Sequence, residues 1–260
     1  TFPEFEQIGV VELPRVSVRR RYGTVLRAAA QIAATKLDLT GYDALVVCCD
    51  GLGSLLNFRN ATKPIACLCF TPLRAVYDEE YRARHLGTHQ SLKPLAPALE
   101  RAWVQLDRWA WRRYEHVFCI SETVKERVLR GGLCPESALE VVYPGIDEKS
   151  IAPSAIHERF FFLPGRMMWT KNIELGIDAF LRSDSARAQG FRLVIAGMVD
   201  AKSQPYFAKL RDLAAGRTEI EFVRDPSDAQ MNDLYRRCYA TLFTAFNEDW
   251  GLTPLEAMAA

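Results

Sequence analysis

Short apolar runs and amphipathic stretches alternate along the 260 residues. Residues 44–49, 65–70, 117–120 and 139–143 read as one set of strands, and 159–163, 191–196, 220–223 and 240–246 as a second. Helical spacing fills the gaps: 25–37, 92–114, 122–130, 172–181, 206–215 and 229–238, then a last helix opening near Pro254. The run at 44–49 is continuously apolar, as expected of a strand buried on both faces of a parallel sheet. Between the two sets, Pro144-Gly145-Ile146-Asp147 and the stretch to Pro153 break the pattern. Alternation on both sides of such a break predicts an α/β chain of two Rossmann-like, doubly wound parallel sheets. The expected division is 1–145, a linker at 146–157, and 158–260. Ligands of such sheets bind beyond the carboxyl ends of the strands, so two units would offer those ends to each other across a cleft.

Composition narrows the function classes. The formal charge is +1, so no overall field draws in nucleic acid. Seven cysteines, at 48, 49, 67, 69, 119, 134 and 238, sit mostly in apolar runs, where a free thiol packs as a small hydrophobe. Neither a disulfide framework nor a zinc pattern emerges, and a reducing, cytoplasmic setting is expected. No signal peptide or membrane-spanning run is present in these residues. The helix at 92–114 mixes Trp103, Trp109 and Trp111 with Arg101, Arg108, Arg112 and Arg113. Such a helix can lie on the inner face of an anionic bilayer. Trp109 and Trp111, two positions apart, cannot share a helical face, which favours a core helix with arginines at its edge. The basic run 16–21 reads as a solvated face.

Candidate chemistry gathers at the end of the chain. The strand at 240–246 breaks at Asn247-Glu248-Asp249, and Gly251-Leu252-Thr253-Pro254-Leu255-Glu256 follows. Thr253 is the expected N-cap, with Pro254 at the first helical position and Glu256 completing a capping box. A strand that opens through a loop onto a helix N-terminus presents free N–H groups and a positive dipole to an anion. Glu248 and Glu256 would repel a phosphate and suit sugar hydroxyls; the plainer alternative is a solvated acid and a capping residue. A second cluster follows the strand at 159–163: Gly165 permits a turn, and Arg166 and Lys171 stand either side of a short loop before Asn172. A guanidinium fork and a compact ammonium together suit a diphosphate, and surface solvation is the alternative. The turn Asp50-Gly51-Leu52-Gly53-Ser54 has two glycines of a dinucleotide fingerprint, but Leu56 stands at the third, so it reads as a plain strand-to-helix turn.

The stretch E-D-W-G-L-T-P-L-E-A-M-A resembles the Glu-x7-Glu signature of retaining, nucleotide-sugar-dependent glycosyltransferases of family 4, which have the GT-B fold. The resemblance implies that Glu248 faces the donor sugar and that Glu256 holds ribose hydroxyls. It places the backbone at Gly251, Leu252 and Thr253 against the sugar and pyrophosphate. G-R-x4-K-N at Gly165 to Asn172 resembles the family segment that neutralises the donor diphosphate, here through Arg166 and Lys171. By the same resemblance a nucleobase docks near Pro226. The segment C-F-T-P-L-R resembles C-H-T-P-M-R of bacterial mannosyltransferase-like members, with Phe70 where the family carries a histidine. Arg74 is then a contact for a phosphate or the acceptor, or alternatively one half of a salt bridge across its loop. V-Y-P-G-I-D resembles the family hinge, and the family's first strand and closing helices are expected beyond both ends of the chain.

The resemblance implies a retaining transferase that moves a hexose, mannose first, from a GDP- or UDP-linked donor to an acceptor hydroxyl on a glycan or lipid-linked acceptor. No metal and no cofactor beyond the donor are expected, since no Asp-x-Asp pair occurs. The expected setting is cytoplasmic, with peripheral contact at the membrane. A donor-binding or scaffold protein without turnover is the alternative. A nicotinamide-binding Rossmann protein would need the complete glycine fingerprint.

Overall fold

The computed structural model describes residues 22–86, 96–147 and 153–260, with residues 9 and 151. The expected basic face at 16–21, the start of the helix at 92–95 and part of the linker lie outside the described residues. The chain separates into two units, Thr1–Val141 and Val142–Ala260.

In the first unit the order is α1 (Tyr22–Ala34), β1 (Leu45–Asp50), a 3-10 turn (Gly53–Leu56) running into α2 (Asn57–Asn60), and β2 (Ile65–Thr71). Then come α3 (Arg74–Tyr77), α4 (Glu79–Leu86), α5 (Ala96–Trp111), β3 (His116–Cys119), α6 (Glu122–Arg130) and β4 (Leu139–Val141). The four strands are parallel, in the order β1-β2-β3-β4. Cys67, Cys69, Val117 and Cys119 are fully buried in the sheet, beside Leu55, Ala110, Trp111, Val124 and Val128. The thiols act here as core hydrophobes, and burial pushes the Cys134 thiol up to about 12. Ser121 caps α6, its hydroxyl accepting from the Val124 N–H at 3.1 Å. In α5, Trp111 is buried and Trp109 is 44% exposed, as their spacing requires.

One expectation is corrected. β1 is not covered on both faces: Val47 is buried, but Val46 is 62% exposed and Cys48 is exposed. Among the described strands β1 is the sheet edge, and its alternate side chains point away from the packed face. The turn after it behaves as expected, with Gly51 at φ 77 and a short 3-10 helix instead of a phosphate loop.

The second unit runs β5 (Phe160–Pro164), α7 (Ile173–Arg182), α8 (Asp184–Ala188), β6 (Arg192–Gly197), α9 (Gln204–Leu213) and β7 (Ile220–Arg224). It ends with α10 (Asp228–Arg237), β8 (Ala240–Thr241) and α11 (Leu252–Ala259). All pairings are parallel and the strand order is β7-β6-β5-β8. Leu163, Leu193 and Ile195 pack with Ile173, Ile177 and Phe180 of α7 and Phe207 and Leu210 of α9. Phe160, Phe162, Val194 and Ala196 pack with Tyr235 of α10, with Ala257 of α11 against them. Side chains of alternating register thus feed two separate clusters, so helices cover both faces, which is the doubly wound arrangement. Ser227 and Gln230 form the capping box that opens α10.

Two local expectations fail near the chain's end. The apolar run 240–246 pairs as a strand only at Ala240 and Thr241. Beyond them the backbone leaves the ladder, and Phe246 gives its N–H to Thr170 O at 2.7 Å. The last helix begins at Leu252, with Gly251 and not Thr253 as N-cap and no side-chain cap. Glu256 completes no capping box, because its carboxylate is taken by the Tyr235 hydroxyl at 2.6 Å. Gly251 is confined by its neighbours: a Cβ there would stand 3.1 Å from the Phe243 ring and 3.3 Å from Pro254 Cδ.

Candidate functional site

Strand order locates the site. The chain leaves β5 for β6 and β7 on one side, then returns through β8 on the other. Where the order reverses, the loops at the carboxyl ends of β5 and β8 diverge to opposite faces and leave a crevice. The loop after β5 carries Gly165, Arg166 and Lys171, and the segment after β8 carries Glu248.

Three bonds lace these segments together. Thr170 O accepts from the Phe246 N–H at 2.7 Å. Lys171 O accepts from the Thr244 hydroxyl at 2.8 Å. Lys171 Nζ donates to Glu248 Oε2 at 2.5 Å, with both side chains roughly three-quarters shielded (22% and 27% exposed). Thr244 and Phe246 escape a reading by motif; the only signal was the two threonines, Thr241 and Thr244, interrupting an apolar run.

Close backbone approach shapes the β5 loop. Gly165 has φ 147, open to glycine alone, and its N–H bonds Ala196 O at 2.9 Å. A Cβ on Gly197 would run into the Gly165 carbonyl oxygen, so the end of β6 must also be glycine. The loop closes in a 3-10 turn, Trp169–Lys171, and Asn172 takes the left-handed conformation (φ 48) before α7. The hydroxyl of Tyr206 accepts from the Ile173 N–H at 3.1 Å and donates to Glu174. Burial, then the Glu174 carboxylate, raises the Tyr206 pKa, so the phenol stays protonated. Arg166 is exposed, and its guanidinium has no ion-pair partner among the described residues.

Across the crevice, Asn247 turns the chain with φ 47 and Gly251 starts α11. With no side-chain cap, the first N–H groups of α11 at Leu252 and Thr253 are left to a ligand or solvent, while Pro254 has none to give. Glu256 and Tyr235 tie α11 to α10, and burial followed by Glu256 raises the Tyr235 pKa. Trp250 donates its indole N–H to Pro144 O at 3.0 Å and stacks on Tyr143.

The structure therefore brings Lys171 and Glu248 into contact, with Gly165 and Arg166 on the same loop as Lys171. Gly251, Leu252, Thr253 and Glu256 follow Glu248 directly. Pro226 lies farther off, after β7 at the sheet edge, beside Asp225, whose carboxylate accepts from the Val199 N–H at 2.9 Å. Arg74, in the first unit, is engaged locally: its Nε donates to Asp78 Oδ2 at 2.9 Å, the salt-bridge alternative. Arg127, buried, donates to the Thr71 hydroxyl at 2.8 Å and also reaches Asp78. Burial of Asp78 raises its pKa, but the Tyr81 N–H and the two arginines more than reverse this and hold it below the ordinary carboxylate value. Phe70, where the resemblance leads one to expect a histidine, is 41% exposed at the end of β2.

Comparison with known proteins bears on the fold and the family. Residues 147–260 match the family described as Glycosyl transferases group 1. An O-antigen chain mannosyltransferase of Salmonella typhimurium is 23% identical over 153 residues, which are 57% of this chain and 41% of that protein. A glycosyltransferase from Rickettsia africae superposes with TM-score 0.57 at 14% identity, over 96% of this chain and 63% of the other. A sucrose-phosphate synthase from Thermosynechococcus elongatus gives TM-score 0.64 at 15% identity, over 95% of this chain and 60% of the other. The chain thus spans about two fifths of the curated relative and about three fifths of the solved structures. The fold is two parallel-sheet, Rossmann-like α/β units, as in GT-B glycosyltransferases.

Proposed function

We propose that this chain works as a retaining glycosyltransferase and that its second unit binds a nucleoside-diphosphate sugar. The observation that carries the reading is the Lys171–Glu248 contact at the strand-order reversal, beside an uncapped helix N-terminus. A cation for a diphosphate and a carboxylate for sugar hydroxyls stand together where this class of sheet takes its ligands.

The chemistry would run through charge on the departing diphosphate. Lys171, Arg166 and the N–H groups of Leu252 and Thr253 are donors fixed in advance of that charge. Their sum replaces a metal ion in this reading. Glu248 orients the sugar and steadies positive charge on the ring, Glu256 meets the ribose and Pro226 borders the base. A hexose, mannose first, passes from a GDP- or UDP-linked donor to a hydroxyl of a glycan or lipid-linked acceptor. The similarity to an O-antigen chain mannosyltransferase supports that choice. No helix among the described residues is long and apolar enough to cross a membrane, and action at the cytoplasmic side, in peripheral contact with it, is part of the proposal.

Donor binding without turnover is favoured by two observations in the first unit. Phe70 cannot bond a sugar hydroxyl, and Arg74 is already paired with Asp78. Ligand-observed NMR with UDP- and GDP-sugars, followed by a hydrolysis assay on the full protein, tests both readings. Binding with release of nucleoside diphosphate supports the transferase, binding alone supports the scaffold, and binding of none refutes both.

A further inference from the structure

We infer that Trp250 is a positioning residue, which sets the Glu248 loop by pinning it to the segment through which the chain enters the second unit. The inference deepens the donor-site reading and rests on it for the sugar-facing role of Glu248.

Trp250 lies two residues after Glu248 and one before Gly251, the N-cap of α11. Its indole makes two different contacts with residues more than a hundred positions earlier. The ring stacks on Tyr143, with centroids 4.6 Å apart and planes at 30°. Its Nε1–H donates to Pro144 O at 3.0 Å, a bond lying in the ring plane. Stacking restrains the tilt of the indole, and the in-plane bond restrains its rotation and sliding. A ring held both ways leaves its Cα little freedom, and with it the backbone between Glu248 and α11. The loop starts at Asn247 in the left-handed region and ends at a helix without a side-chain cap. It also carries Glu248 against Lys171, so loose backbone there would spread the carboxylate over several positions.

Packing alone would be served by any aromatic ring. Only tryptophan combines a stacking face with an in-plane N–H at this reach, so Trp250→Phe separates the two roles: it keeps the stack and deletes the hydrogen bond.

The test uses the full protein as wild type, Trp250→Phe, Trp250→Ala, Glu248→Gln and the Trp250→Phe/Glu248→Gln double variant, each checked for an unchanged unfolding transition. Amide hydrogen exchange across residues 246–253 is measured without ligand. Calorimetry then compares UDP with UDP-glucose and GDP with GDP-mannose. The expected result is exchange about tenfold faster at 248–251 in Trp250→Phe, and faster still in Trp250→Ala. The sugar nucleotide should bind roughly five- to tenfold more weakly, with nucleoside diphosphate affinity unchanged and no further loss once Glu248 is already Gln. Wild-type exchange and wild-type affinity in Trp250→Phe would overturn the inference. So would equal losses for diphosphate and sugar nucleotide, or losses that add to those of Glu248→Gln. If the wild type binds none of the four ligands, the donor reading fails, while the exchange result still decides whether Trp250 positions the loop.

Discussion

Lys171 Nζ stands 2.5 Å from Glu248 Oε2 across 77 residues of sequence, so the two loops meet through opposite charges. A diphosphate entering the crevice competes with Glu248 for that ammonium. Lys171→Ala should therefore weaken nucleoside diphosphate binding by about 10- to 100-fold, the range of a lost charge-assisted hydrogen bond. Glu248→Gln frees the ammonium and should leave that affinity equal or tighter. Calorimetry on both variants checks the pair, and weaker diphosphate binding in Glu248→Gln contradicts the competition.

Arg166 is exposed and has no ion pair among the described residues. Its removal should cost the folded state little, within about 0.5 kcal/mol in urea unfolding. Diphosphate affinity should still fall roughly tenfold in Arg166→Ala. A variant that loses stability and keeps its affinity would assign Arg166 to structure.

Tyr235 is buried at 4% exposure, with its hydroxyl on Glu256. Tyr235→Phe leaves the carboxylate without that donor and unties α11 from α10. A loss of about 1–2 kcal/mol is expected in chemical denaturation, with faster exchange in α11. Unchanged exchange there would mean that α11 is held by its apolar contacts alone.

Gly197 and Gly176 are both crowded, but by different neighbours. A Cβ at Gly197 meets the backbone oxygen of Gly165, whereas one at Gly176 meets the Cδ1 tip of Leu163. Backbone cannot move without parting β5 from β6, but a leucine tip can rotate. Gly197→Ala should cost about 3 kcal/mol or more, and Gly176→Ala within about 1 kcal/mol, aided by better helix propensity. Denaturation midpoints rank the two, and the reverse order would refute the argument.

Asp107, 1% exposed, accepts from the Ser54 hydroxyl at 2.7 Å. Burial raises its carboxyl pKa, with the Ser54 bond opposing. The folded state therefore holds this proton more tightly than the unfolded chain. The resulting stabilisation is complete below the unfolded value of roughly 3.9 and is lost as pH rises through the folded one. Asp107→Asn should remove this dependence, so the variant gains on the wild type with rising pH, by at most about 1.4 kcal/mol per pH unit. Unfolding curves at several pH values check it; a constant difference between the two proteins would show that Asp107 does not titrate in this window.

Local pattern was enough to find the strands and the longer helices, but not the short helices α2, α3, α4 and α8. Apolar runs marked seven of the eight strands to within a residue or two, β8 being the exception, because a strand in a covered sheet must be apolar along its length, as β6 is from Leu193 to Gly197. Ser121 was legible as a cap because N-capping needs one hydroxyl and the helix after it. Pattern does not encode which strand lies beside which. β8 joins β5, and not β7 before it in sequence, because two helical layers must each find an apolar face. That placement alone puts Glu248 on Lys171. Tertiary contact also overrode local rules at the same spot. Thr170 O drew Phe246 out of the expected strand, and Tyr235 took the carboxylate that the capping box required. Residue types suggested the chemistry proposed here, of a diphosphate and a sugar; the order of the strands decided that Lys171 and Glu248 meet.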